Sequence, residues 1–257
     1  MAKKTQKQER INDILLGPLE RPALQWLARH MPKWVTPDIL TGIGIFASVL
    51  IFVSYALVGR GETLHNGLLW LASFGFVLNW FGDSLDGTLA RYRHIERPRF
   101  GYFIDHSVDA FSAVAIFMGL GLSGLTTPLV GALATIGYLL AMITVYLKTF
   151  VTGTFEMTSM KLGPTEIRLL AILINSLIFF IGNPIITLPV WGQVKLFTIL
   201  LSVIAAFLFV YFIYRTIVEG MRLALLDGKR LERRLEREAA KADKGQHKQE
   251  LKSKKAK

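Results

Sequence analysis

The sequence contains no cysteine. That excludes a disulfide framework, a thiolate nucleophile and any cysteine-ligated zinc or iron–sulfur site, and it leaves the redox compartment unread. Charge is scarce as well: 19% of the 257 residues are Asp, Glu, Lys or Arg, against 52% hydrophobic. The basic start "MAKKTQKQERINDILLG" lacks a continuous apolar core, so it does not read as a cleavable signal peptide. No internal repeat and no aromatic-plus-basic RNA-binding motif is visible. The formal net charge of +11 is therefore read as membrane flanks facing anionic lipid, with no nucleic-acid partner.

What is present is a set of apolar blocks of the length that crosses a bilayer core, about 20 residues each. They predict six spans, at 39–58, 67–91, 103–122, 128–150, 164–181 and 194–217. Lysine and arginine alternate between the gaps. Lys3, Lys4, Lys7, Arg10, Arg21, Arg29 and Lys33 precede the first span. Arg91, Arg93, Arg97 and Arg99 follow the second, Lys148, Lys161 and Arg168 surround the fourth-to-fifth loop, and a basic tail follows the sixth. The opposite loops hold only Arg60 and Lys195. The positive-inside rule then puts both termini in the cytoplasm. Residues 10–34 mix apolar and basic positions and predict an amphipathic interfacial helix, broken near Pro18 and Pro22. The expected fold class is an all-α integral membrane protein. Its parts are an interfacial segment at 1–36, a six-helix domain at 37–220 and a basic cytoplasmic tail at 221–257. The tail carries thirteen Lys/Arg and six Asp/Glu and reads as a solvated, frayed helix along the membrane surface.

Between the second and third spans runs "GDSLDGTLARYRHIERPRFGYFIDHSVD", with Asp83, Asp86, Asp105 and Asp109. A carboxylate at membrane depth is costly and signals function. On a helix, positions 83, 86, 87, 90 and 91 share one face, and 105 and 109 share another. Gly87 and Ala90 are small enough to admit a backbone or a ligand. The short linker makes the two helices antiparallel neighbours, so four carboxylates can surround one cavity. Their repulsion is relieved by protons or by cations. Carboxylate oxygens suit hard divalent ions such as Mg²⁺, Mn²⁺ or Ca²⁺, and two such ions can clamp a phosphoryl group. The arginines that follow would hold a phosphorylated substrate. A structural Asp–Arg pair and a cation path through a transporter are the alternatives at this point.

The same stretch resembles the signature of the CDP-alcohol phosphotransferase family. Its eight fixed residues are Asp83, Asp86, Gly87, Ala90, Arg91, Gly101, Asp105 and Asp109, and every one is matched over 27 residues. The resemblance implies that a CDP-linked alcohol donates its phospho-alcohol group to the hydroxyl of a second alcohol, one of the two being a lipid, and that CMP leaves. It implies divalent metal, Mg²⁺ or Mn²⁺ and two ions by expectation, held by Asp83, Asp86, Asp105 and Asp109. Asp109 would also be the general base. Gly87, Ala90, Arg91, Gly101 and Asp83 would border the cytidine diphosphate. A homodimer is likewise implied. The lysine and arginine pattern puts the site on the cytoplasmic side, and the expected location is a bacterial or archaeal plasma membrane.

Two shorter matches refine this. "WVTPDILTGIGI" resembles the family's entry to its first span, with Asp38 where an Asn is usual; Thr41 is either near the nucleotide or a plain helix-interior threonine. "FIDHSVDAF" and "VTGTFEMTSMKLGPTEIRLL" resemble the choline/ethanolamine phosphotransferase branch through His106, Thr152, Gly153, Thr154, Thr165 and Glu166. Glu166 is either a contact to substrate or His106, or a helix-terminal glutamate favoured by the dipole. Lys148, Lys161 and Arg168 either bind a phosphate-bearing acceptor or are positive-inside residues. An intramembrane prenyltransferase and a cation transporter are the competing functions. The first would leave Gly87, Ala90 and Arg91 unexplained, and the second would need polar residues in the other half of the membrane.

Overall fold

The computed structural model describes residues 15–59, 67–153 and 163–255. Lys161, Thr154, Arg60 and the first lysines of the chain lie outside the described residues. Seven helices and one hairpin follow in order: α1 (Gly17–His30), α2 (Pro37–Val58), α3 (Gly67–Tyr92), α4 (Pro98–Leu122), α5 (Pro128–Thr152), α6 (Pro164–Ile181), β1 (Ile185–Leu188), β2 (Gly192–Lys195) and α7 (Leu196–Lys255). Six of the helices, α2 to α7, are long and apolar enough to cross a membrane.

Proline sets many of the helix starts. It occupies the first turn of α1, α2, α4, α5 and α6, where its missing N–H costs nothing. Thr36 and Thr127 cap α2 and α5 through their hydroxyls, which accept from the amides of Ile39 and Val130. The expected break of the interfacial helix at Pro22 does not occur. Pro18 begins α1 and Pro22 sits inside it, early enough that only one backbone bond is forgone. The third span starts at Pro98, five residues before the apolar block, because hydropathy marks the lipid-facing part of a helix and not its end. The loop "GNPIITLPVWGQVK" folds as an antiparallel hairpin, Leu188 opposite Gly192, with Gly192 at a φ of +67° closing the turn.

The chain divides into two compact units, Met1–Phe212 and Ile213–Lys257. In the first, α2 packs on α3 and α4, α4 on α5, α3 on α6 and α1 on α3. One apolar cluster joins Ile51, Tyr55 and Val58 of α2 to Leu69, Ala72 and Phe76 of α3, with Ile178 of α6 and Leu201 of α7 against them. A second joins Leu24 and Ala28 of α1 to Leu40, Leu85 and Leu89. Small residues let the helices touch, as packing between helices in lipid requires. A methyl added at Gly82 would lie 2.5 Å from the Leu40 carbonyl oxygen and 2.6 Å from the Gly44 amide nitrogen. So α2 and α3 meet backbone to backbone immediately beside Asp83.

Arg93, just past α3, ties the α1–α2 connection to this bundle. Its guanidinium donates to the carbonyls of Met31 (3.0 Å), Pro32 (2.8 Å), Lys33 (3.4 Å) and Val35 (2.5 Å). Arg97 pairs with Asp38. These two arginines of the loop cluster are therefore engaged by the protein itself. The second unit is helical throughout its described part and carries short-range ion pairs, Arg215–Glu219 (3.4 Å), Arg222–Glu219 (3.6 Å) and Arg234–Glu238 (2.9 Å). The described part of the tail is helical, because its Ala, Leu, Glu, Lys and Arg are strong helix formers.

Candidate active site

Asp83 and Asp86 project from the last turns of α3, and Asp105 and Asp109 from the first turns of α4. The two faces converge. Asp109 feels the charges of Asp83, Asp105, Asp86 and Arg168, and Asp86 those of Asp83 and Asp105. Each carboxylate has its own surroundings. Asp83 Oδ2 accepts from Arg168 Nη2 of α6 at 2.6 Å. Asp86 Oδ2 accepts from the Thr41 hydroxyl of α2 at 2.6 Å. The same hydroxyl also donates to the Pro37 carbonyl one turn back in α2, at 3.1 Å, as a helix-interior threonine does.

Asp105, His106 and Asp109 each offer a ligand atom within 4.8 Å of the other two. His106 Nδ1 lies 3.4 Å from Asp105 Oδ2, and its ring stacks on Tyr146 (5.0 Å between centroids) and tilts against Tyr102 (4.1 Å). The donor set is rich in hard oxygen and the Arg168 guanidinium answers one carboxylate, Asp83. Such a set fits a divalent cation. His106 joins it, which reading the four aspartates alone does not anticipate.

The motif glycines are informative through what they do not touch. A methyl at Gly87 would meet only the mobile tip of Arg91, at 3.3 Å, and one at Gly101 would meet nothing within 4 Å. Neither glycine is required by packing within the described residues. Space is left on the motif face where a ligand can approach the backbone. Ala90 is half-buried on the same face, and Arg91 reaches Thr88 Oγ1 at 3.1 Å.

Glu166 is buried at the start of α6. Its Oε2 accepts from the Gly163 amide (2.9 Å) and its Oε1 from the Leu16 amide ahead of α1 (2.8 Å). These bonds are those of a helix-terminal glutamate, and they tie the residue ahead of α1 to the start of α6. Lys148 is buried in α5. Arg168 has a buried guanidinium nitrogen, Nη1, with no hydrogen-bond partner among the described residues.

Asn79 is a residue the motif does not contain. Its Oδ1 accepts from Arg168 Nε (2.8 Å), and its amide donates to Gly44 O (3.2 Å) and Ser48 Oγ (3.1 Å). Ser48 in turn bonds Ser112 of α4 at 2.7 Å. A polar seam thus runs from α4 through α2 and α3 to Arg168 and Asp83. Asn79 lies four residues before Asp83, so extending the one-face pattern by a turn finds it.

A family model described as CDP-alcohol phosphatidyltransferase matches residues 34–227. Among curated relatives, the chain is similar to a phosphatidylinositol phosphate synthase of Cutibacterium acnes, 39% identical over 90 residues, 34% of this chain and 38% of the relative. It is also similar to cholinephosphotransferase 1 of Danio rerio, 30% identical over 96 residues (37% and 25%), and of Homo sapiens, 31% over 112 residues (41% and 27%). The matches span well under half the length of these relatives.

Proposed function

The chain belongs to the CDP-alcohol phosphatidyltransferase family, and from that premise we propose that it transfers a substituted phosphate from a CDP-linked alcohol to the hydroxyl of a second alcohol, one of the two being a membrane lipid. The observation that carries this reading is the convergence of four carboxylates beside two glycines that no packing requires.

In this reading Asp83, Asp86, Asp105 and Asp109 hold divalent cations, Mg²⁺ or Mn²⁺, with His106 beside them. When bound, these ions neutralise the diphosphate and the departing CMP. Thr41 fixes the Asp86 carboxylate, and Arg168 fixes that of Asp83. The cytidine diphosphate lies against Gly87, Ala90, Arg91 and Gly101. Asp109 accepts the proton of the attacking hydroxyl as the new oxygen–phosphorus bond forms and the bond to CMP breaks. Arg168, whose Nη1 has no hydrogen-bond partner among the described residues, favours, with Lys148 and Lys161, an acceptor that carries its own phosphate. The lysine and arginine pattern supports a site and both termini on the cytoplasmic side of a bacterial or archaeal plasma membrane. A homodimer is proposed on the family resemblance, and native mass spectrometry in detergent reads it directly.

The test is CMP release by the purified chain with Mg²⁺ or Mn²⁺ over a matrix of CDP-linked donors and alcohol acceptors, with lipid products read by mass spectrometry. Asp109→Asn is expected to abolish release while leaving the thermal midpoint in place. Undiminished release from Asp109→Asn removes that residue as the base.

A further inference from the structure

Arg168 and Asp83 form an ion pair whose geometry is not the one that burial favours. Their side chains are 11% and 16% exposed. A guanidinium and a carboxylate drawn together away from water favour a fork, with one edge of the planar cation against both oxygens. Here Arg168 Nη2 donates to Asp83 Oδ2 at 2.6 Å, while Nε, the other donor of that edge, goes to Asn79 Oδ1 at 2.8 Å. The edge is divided between a charged acceptor and a neutral one.

The sequence of α3 makes this division possible. Asn79 and Asp83 are four apart and share a face, so the two acceptors stand one turn apart. The direction of the Asn79 amide is fixed from behind. Asn79 is 3% exposed, and its Nδ2 donates to Gly44 O (3.2 Å) and Ser48 Oγ (3.1 Å) of α2. A carbonyl oxygen can only accept, so the amide nitrogen faces α2 and the amide oxygen faces Arg168 of α6. Ser48 is itself held by Ser112 of α4 at 2.7 Å. A leucine at 79 would offer neither function, and an ionised aspartate would offer no donor.

The consequence falls on Asp83. A guanidinium fork would occupy both of its oxygens. While Nε is held by Asn79, Arg168 cannot close that fork. The arginine still offsets part of the repulsion among the four carboxylates, and it does so through one oxygen of one of them.

We propose that Asn79 is a positioning residue: by holding Nε of Arg168 it confines that arginine to one oxygen of Asp83 and keeps the other for the divalent cation. This rests on the reading above in which Asp83 is a cation ligand.

The test uses the purified full chain and reads Mn²⁺ binding directly by electron paramagnetic resonance, with and without CMP. Asn79→Leu releases Nε to close on Asp83 and is expected to weaken Mn²⁺ binding by about 10- to 100-fold, the range for residues that orient a metal ligand. Asn79→Ala opens the same route with a smaller side chain and covers the case in which the leucine variant does not fold. Asn175→Leu is the matched control. It removes another buried amide, 2% exposed, which bonds Tyr55, Ser73 and Leu69 and lies about 10 Å along α6 from Arg168. It is expected to lower the thermal midpoint and keep wild-type Mn²⁺ binding; an equal loss there overturns the proposal. The critical comparison is made in an Arg168→Met background. There Asn79→Leu is expected to add no further loss, because its effect passes through the arginine. A loss of the same size in both backgrounds overturns the proposal, as does wild-type Mn²⁺ binding in both Asn79 variants. So does a wild-type chain that binds no Mn²⁺ with or without CMP. If wild type binds Mn²⁺ but releases CMP from no donor–acceptor pair, the transferase reading fails, while the Mn²⁺ comparison still decides the role of Asn79.

Discussion

Replacing Gly82 with alanine tests whether the backbone contact between α2 and α3 holds the site in register. The added methyl would sit 2.5 Å from Leu40 O, 2.6 Å from Gly44 N and 3.0 Å from Gly44 Cα. All three are backbone atoms of α2, so no side chain can rotate out of the way. Restoring ordinary contact requires the two helices to part by about 0.9 Å in a close-packed interface. Such overpacking costs about 1–3 kcal/mol. The same displacement acts on the bond that joins the helices at the site. Thr41 Oγ1 and Asp86 Oδ2 are 2.6 Å apart, and a further ~0.9 Å takes them to the edge of hydrogen bonding. A misplacement of about 1 Å can lower a rate on the order of 10²-fold. The expected outcome for Gly82→Ala is a lower thermal midpoint in detergent and CMP release reduced by about that factor. Gly42→Ala is the control: it lies in the same helix as Gly44, its added methyl meets nothing within 4 Å, and it gains helix propensity. If Gly82→Ala keeps the wild-type rate and midpoint, the contact does not position Asp83 and Asp86.

Other outcomes follow from the same geometry. Asn79→Leu removes the acceptor for Arg168 Nε and interrupts the seam to Ser48; CMP release is expected to fall, with part of the loss regained in Asn79→Gln. Removing divalent ions with a chelator is expected to abolish release, and Mg²⁺ or Mn²⁺ to restore it; release that persists after exhaustive chelation refutes the metal reading. Glu166→Ala leaves the amides of Leu16 and Gly163 without their acceptor, at about 1–3 kcal/mol for each group left buried. Trypsin is then expected to cut after the exposed Arg29 of α1 faster than in wild type.

The spans and the motif were legible in the sequence because each depends on a short-range pattern. Apolar blocks mark the membrane-crossing helices, and a 3.6-residue period puts Asp83 beside Asp86 and Asp105 beside Asp109. What the sequence hid were contacts between residues far apart along it. Arg168 lies 85 positions from Asp83, and no local pattern says that its guanidinium bonds that carboxylate. Leu16 and Glu166 are 150 positions apart. The hairpin at 185–195 was missed because two four-residue strands fall below any periodicity signal. Pro22 misled for a local reason: so near a helix start, a proline removes a single backbone bond and the helix continues.

The Arg93 clamp changes how mutagenesis of the basic loop is to be interpreted. A scan that replaces each arginine after α3 and scores enzyme output would rank Arg93 as strongly as a true phosphate ligand, although its donors are spent on Met31, Pro32, Lys33 and Val35. Lysine would not rescue it, since one ammonium cannot span the carbonyls that a planar fork reaches. A loss of output there reports a loosened strap between α1 and α2. Substrate titration separates the two cases: a ligand arginine raises KM, whereas a strap arginine lowers the amount of competent protein.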